Sequence, residues 1–201
     1  RIAEEAGSYN EQDPFSNRDP RLANAVIYNG QYVSGYNNAS LYVNEDGSLP
    51  AGSLLQKRSG STDGVSETYY YEHKRTGPLS AKGTQRLLIT DPIIRMAELY
   101  LNYAEAANEA YGPDVRPSGT GYSAAEAVNK VRDRIGMPPV RSEYTVNTET
   151  FRERIKNERT VELCFEGAHY YCDIRRWKDA PEIGRSRLYG MRPVRLASGP
   201  T

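Results

Sequence analysis

Histidine, cysteine and tryptophan are scarce in this chain, which has two, two and one of them. His73 and His169 do not assemble a zinc-ligand pattern with the cysteines, so neither a metal nor a cofactor is expected. Cys164 and Cys172 lie on one expected helix, where eight residues at 1.5 Å each hold their Cα atoms roughly 12 Å apart. They cannot bridge each other and read as small buried hydrophobes. Net charge is also missing, since 26 basic residues meet 26 acidic ones. No field draws the chain to a phosphate backbone or an anionic lipid, which excludes nucleic acid as a partner. No apolar run approaches membrane-spanning length, and the first residues do not read as a signal peptide. Without an initiating Met, that leaves export open.

Hydrophobic content is low at 38%, with 17 Gly and 12 Pro, which implies much irregular chain or a piece of something larger. What is abundant is tyrosine, 16 against 3 Phe. Its flat face and hydrogen-bonding tip suit polar ligands and ordinary interfaces alike.

The stretch TFRERIKNERTVELCFEGAHYYCDIRRW, 150–177, organises the rest. Thr150 and Glu153 form a capping-box pattern that predicts the start of one long helix running to Trp177. Val161, Cys164, Phe165, Ala168, Tyr171 and Cys172 recur at three- and four-residue steps and predict its buried stripe. Beside it, Glu158, Glu162 and Glu166 lie four apart. Stacked like charges are unfavourable unless cations answer them. Arg95, Arg132 and Arg134, on two earlier predicted helices, can do so through fork-like charge-assisted bonds. The six together predict a structural ion network. A pair of catalytic carboxylates is the alternative, but those acids share one helix face and do not flank a cleft.

Taken in order, 1–24 are polar and broken by Asp13-Pro14 and Asp19-Pro20. Asn29-Gly30 between Val26-Ile27-Tyr28 and Gln31-Tyr32-Val33 predicts a short β-hairpin. From Ser34 to Gly83 the chain is rich in Gly, Ser, Asn, Asp and Tyr, a long irregular stretch. Asn44, Asp46 and Gly47 hint at a calcium loop, but the ligand series is incomplete. Asp91-Pro92 predicts a helix beginning near Ile93, with Ile93, Ala97, Tyr100, Leu101, Ala104 and Ala107 on one side and Gly112-Pro113 as its stop. Ser123 and Glu126 form a capping box opening a second helix, Ala124 to Ile135. Such a pair is similar to a tetratricopeptide unit, although the full consensus is absent. Past Trp177, repeated Pro and Gly predict an irregular tail. Arg175, Arg176 and Lys178 complement the preceding helix end, a reading preferred to an anion site.

Four motifs in order carry a family resemblance: NRDPRL with YNG (17–30), IIRMAELYLNYAEAANEAYG (93–112), AAEAVNKVRDRIGMP (124–138), and ERTVELCFEG with DIRRWK (158–178). On these the chain resembles the C-terminal portion of SusD/RagB proteins, surface nutrient-binding lipoproteins. The resemblance implies a mainly α fold, SusD-like, in which a tetratricopeptide-like hairpin packs on a long third helix with long irregular loops and a short β-hairpin. It implies one incomplete domain over 1–201: loops over 1–90, a helical core over 91–179 and an irregular tail over 180–201. The family's lipidated N-terminal cysteine and early repeats have no counterpart here, and the Gly167–Asp173 spacing is one residue longer than its usual pattern.

By the same resemblance the protein is not an enzyme. It is a glycan-capturing subunit on the outward face of the outer membrane in Bacteroidetes-type bacteria, delivering oligosaccharide to a SusC-like TonB-dependent transporter. The alternatives are peptide binding or a purely scaffolding role beside that transporter. Aromatic stacking on sugar faces and amide bonds to hydroxyls single out Tyr32, Tyr36, Asn37, Asn38, Tyr69, Tyr70 and Tyr71 as ligand-binding candidates. The competing reading of the same tyrosines is packing of loops on helices.

Overall fold

A computed structural model describes residues 10, 12–33, 37–56, 65–75, 92–187 and 190–197. Its centre is helical. Helix α2 (Met96–Tyr111) follows a short α1 (Arg21–Ala25), and α3 (Ala124–Asp133) opens on the reciprocal Ser123–Glu126 box. α2 and α3 pack on each other, and α4 (Thr148–Glu162) packs on α2. Ala97, Leu101, Ala104 and Ala107 of α2 meet Ala127, Val128 and Val131 of α3 and Phe151 and Ile155 of α4 in one cluster. The alanines keep the helix axes close, and Phe151 and Ile155, both fully buried, each stabilise the core by roughly 1.5–3 kcal/mol.

Four sequence expectations change here. Ile93 does not join the apolar side of α2; it is 92% exposed. Arg95 holds an extended backbone at the N-cap (φ −135°, ψ 160°), so Ile93 falls ahead of the first turn. The single helix over 150–177 is instead α4 followed by α5 (His169–Arg176). Asn147, and not Thr150, caps α4, its side-chain oxygen accepting from the Thr150 N–H at 2.8 Å. Phe165 (φ +59°) and Gly167 (φ +65°) take left-handed backbone between the two helices, which no continuous helix tolerates. The predicted stripe from Val161 to Cys172 therefore loses its register: Phe165, Ala168, Tyr171 and Cys172 are exposed, while Val161 and Cys164 are half-buried. The inner face of α4 is Phe151, Ile155, Glu158, Arg159 and Glu162.

The loop region has its own cluster of Ile27, Val33, Ala39, Leu41 and Leu55. The Asn29-Gly30 turn forms, with Gly30 at φ +81° and the Gln31 N–H donating to the Tyr28 carbonyl at 3.2 Å. Its flanking strands do not pair with each other. β1 (Val26–Ile27) pairs antiparallel with β5 (Tyr71–Glu72), and β2 (Tyr32–Val33) with β3 (Asn37–Asn38). The Asn29 side chain reaches across to accept from the Leu41 N–H at 3.0 Å, which holds the turn against the loop instead of a hairpin partner. The tail carries regular structure as well: α6 (Ala180–Arg185), and β6 (Val194–Arg195) lying parallel to β4 (Val43–Asn44). No helix among the described residues is long and apolar enough to cross a membrane.

Candidate functional site: a buried charge network and an exposed aromatic edge

Four-residue spacing places Glu158 and Glu162 on the inner face of α4, and the left-handed turn brings Glu166 in behind them. Glu158 is fully buried and accepts from Arg21 Nη1 at 2.7 Å and Arg132 Nη1 at 2.9 Å. Glu162 accepts from Arg21 Nη1 (2.9 Å), Arg95 Nη1 (2.6 Å) and Arg134 Nη2 (2.9 Å). Glu166 receives a two-pronged bond from Arg95 Nε and Nη2, each at 2.6 Å, and Lys74 Nζ lies 2.6 Å away. All six residues named for the network meet in one place. Sequence reasoning missed Arg21 and Lys74. Arg21 is aimed by Asp19, which accepts from its Nε and Nη2 at 2.9 and 2.6 Å and from its backbone N–H at 2.9 Å. The local Asp-Pro-Arg spacing was the available signal.

Burial by itself raises the pKa values of Glu162 and Glu166, but the bonds from Arg95 and its neighbours outweigh it and hold both below the usual carboxylate range. General acid catalysis needs the opposite shift, so at neutral pH these acids hold charge and have no proton to give. Arg154 is the misfit. Its Nε has no hydrogen-bond partner among the described residues, it stands 5.2 Å over the Tyr144 ring, and burial followed by the charge of Arg132 lowers its pKa.

A second network fixes α5. Arg159 donates to buried Asp173 at 2.9 Å and to Asn102 at 2.6 Å. Arg176 donates to Asp173 and Glu105, and Trp177 Nε1 donates to Glu105 at 2.9 Å. The sequence Asp-Ile-Arg-Arg-Trp is thus a clamp joining α5 to α2 and α4.

The candidate ligand residues divide. Tyr32, 71% exposed, stands opposite exposed Asn38 across the β2–β3 pair. Its neighbour Val33 is buried in the loop cluster, so Tyr32 points away from that cluster. Tyr69 and Tyr71 pack on it; Tyr71 donates to the Leu54 carbonyl at 2.9 Å, and Tyr70 donates to Met191 Sδ at 3.7 Å while standing edge-on to Phe15. Asn37 pairs with Val33 through the backbone, and Tyr36 lies outside the described residues. Exposed Phe165, Tyr170 and Tyr171 around α5 were not anticipated, because a continuous helix would have buried two of them. Among the described residues no group of three or more His, Cys, Asp or Glu is placed to hold a metal, and both cysteines are free thiols.

A two-helix hairpin braced on a charged third helix, with a loop layer docked against it by arginine, defines a mainly helical scaffold of tetratricopeptide-like kind. The chain belongs to the SusD family, whose model matches residues 2–192. Members of that family are binding proteins associated with the cell surface. A SusD-like protein from Bacteroides fragilis superposes with a TM-score of 0.59 at 28% identity over 84% of this chain and 30% of its own. A SusD-like carbohydrate binding protein from the same species gives 0.58 at 27% identity, again over 84% and 30%. A SusD superfamily protein from Bacteroides vulgatus, 17% identical, shares the fold with a TM-score of 0.55 over 90% of this chain and 36% of its own. The chain therefore spans about a third of the length of these structures. No curated protein sequence matches it.

Proposed function

We propose that this chain is part of a cell-surface glycan-binding protein that captures oligosaccharide outside the outer membrane and delivers it to a SusC-like TonB-dependent transporter. Attachment to the membrane is through an N-terminal lipid. The observation carrying the reading is the exposed Tyr32 ring opposite Asn38: a flat apolar face for a sugar ring beside an amide for its hydroxyls. The remaining candidates, Tyr36, Asn37 and the Tyr69–Tyr71 run, are proposed on their side-chain chemistry alone. Family membership and the carbohydrate-binding B. fragilis structure support the ligand class.

The test is affinity electrophoresis and calorimetry of the whole protein against panels of polysaccharides and peptides. Binding to at least one glycan, weakened several-fold in a Tyr32→Ala, Asn38→Ala double variant, is the expected result; unchanged affinity in that variant removes the site assignment. A second reading, docking on the transporter without a small ligand, draws on the exposed Ile93, Ile94, Met96 and Leu99 at the start of α2. It calls for co-purification with the transporter and silence in calorimetry.

A further inference from the structure

On α3, Glu126, Asn129, Lys130 and Asp133 recur at three- and four-residue steps and share one face, opposite buried Ala124, Val128 and Val131. With Tyr122, Met137 and Pro139 that face lines a groove of about 390 Å³. This falls within the roughly 300–1,000 Å³ typical of small-molecule sites. The lining charges cancel, two of each sign: Arg116 donates to both carboxylate oxygens of Glu126, and Lys130 stands one turn from Asp133. What the fold leaves unused here is hydrogen-bonding capacity of both kinds. The exposed Asp133 carboxylate accepts no hydrogen bond and makes no ion pair among the described residues. Asn129 takes the Val140 N–H on its side-chain oxygen at 2.8 Å, and its NH2 group has no acceptor among the described residues. Lys130 Nζ lies 5.5 Å from the centre of the Tyr122 ring and donates to no oxygen among them, and the Tyr122 hydroxyl is likewise unbonded there. Met137 and Pro139 add apolar surface beside these groups.

We infer that this groove is a second sugar site, taking one uncharged hexose unit of the glycan. Two neighbouring hydroxyls of a pyranose present a pair of donors to the two oxygens of Asp133, while the Lys130 ammonium and the Asn129 NH2 donate to hydroxyl or ring oxygens. The C–H face of the sugar lies on Met137 and Pro139. Charge balance selects the class: Asp133 opposes a uronic or sulfated sugar, and Lys130 opposes an amino sugar or the basic side chain of a peptide. The inference rests on the glycan reading and adds to it a contact on the helical hairpin, remote in sequence from Tyr32 and Asn38.

Calorimetry of the whole protein, with and without the Tyr32→Ala, Asn38→Ala change, compares neutral hexose oligomers (maltohexaose, cellohexaose and mannohexaose) with an oligogalacturonate and a chitosan oligomer. The double variant keeps measurable binding of a neutral oligomer. Adding Asp133→Ala weakens that binding about tenfold or more, as loss of a hydrogen bond to a charged group implies, and adding Lys130→Ala weakens it several-fold. Neither side chain makes a hydrogen bond within the described fold, and thermal melts confirm that the variants stay folded. Three results overturn the groove and leave the glycan reading standing: loss of all binding in the double variant, neutral binding there that is indifferent to Asp133→Ala, or a preference there for either charged oligomer. No saccharide bound by the parent protein overturns both.

Discussion

A carboxylate removed from water is tolerable only while cations and donors occupy its lone pairs, and Glu158 is such a group. Truncating it leaves Arg21 and Arg132 without their shared partner, so Glu158→Ala should lower the unfolding free energy in urea titration by roughly 3–5 kcal/mol. Arg152→Ala at the exposed Arg152–Glu109 pair should cost no more than about 1 kcal/mol. Similar costs for the two would show that the network does not hold the helices. Arg154 supplies the converse case: with an unpartnered Nε beside Arg132, Arg154→Met should leave stability within about 1 kcal/mol of the parent or raise it. The pH response follows from Glu162 and Glu166, whose folded pKa values lie below the ordinary 4.5. Their contribution is complete above about pH 4.5 and is lost as pH falls through the lower folded values, so melting temperature should drop on acidification below that point. At this scale, four-residue spacing made the acids legible as a set needing cations. Arg21 was hidden because its partner lies 137 residues away.

Elements were readable where the determinants were local. The Ser123–Glu126 box and the Asn29-Gly30 turn both sit where their residue types place them. The β-pairings were not readable, since two-residue strands carry no period and their partners are remote. The break after Glu162 left one trace, Gly167 inside an otherwise helical pattern. Two substitutions check the revised boundaries by chemical denaturation. Asn147→Ala should cost about 1 kcal/mol and Thr150→Ala clearly less, because only the Asn147 side chain accepts a helix N–H. Gly167→Ala should cost roughly 1–2 kcal/mol; nothing stands near its absent Cβ, so the whole penalty is the left-handed backbone. A negligible effect would mean that α4 and α5 are joined differently.

The described residues form two apolar clusters, one helical and one in the loops, joined through charge as Arg21 and Lys74 reach from the loop region to α4. The tail closes the loop region from the other side, where the Val43 N–H donates to the Pro193 carbonyl at 3.1 Å. Deleting 190–201 should therefore speed hydrogen exchange at Val43 and leave α2 and α3 protected; loss of protection everywhere would show the two clusters to be one cooperative unit. The distance in sequence between Arg21 and Glu158 also sets a schedule. At roughly 5–20 residues per second, a ribosome delivers the acid on the order of ten seconds after the base. Through that interval the nascent loop layer has no counter-ion to dock on, and limited proteolysis of stalled chains ending before and after α4 should find it cleavable in the first and shielded in the second.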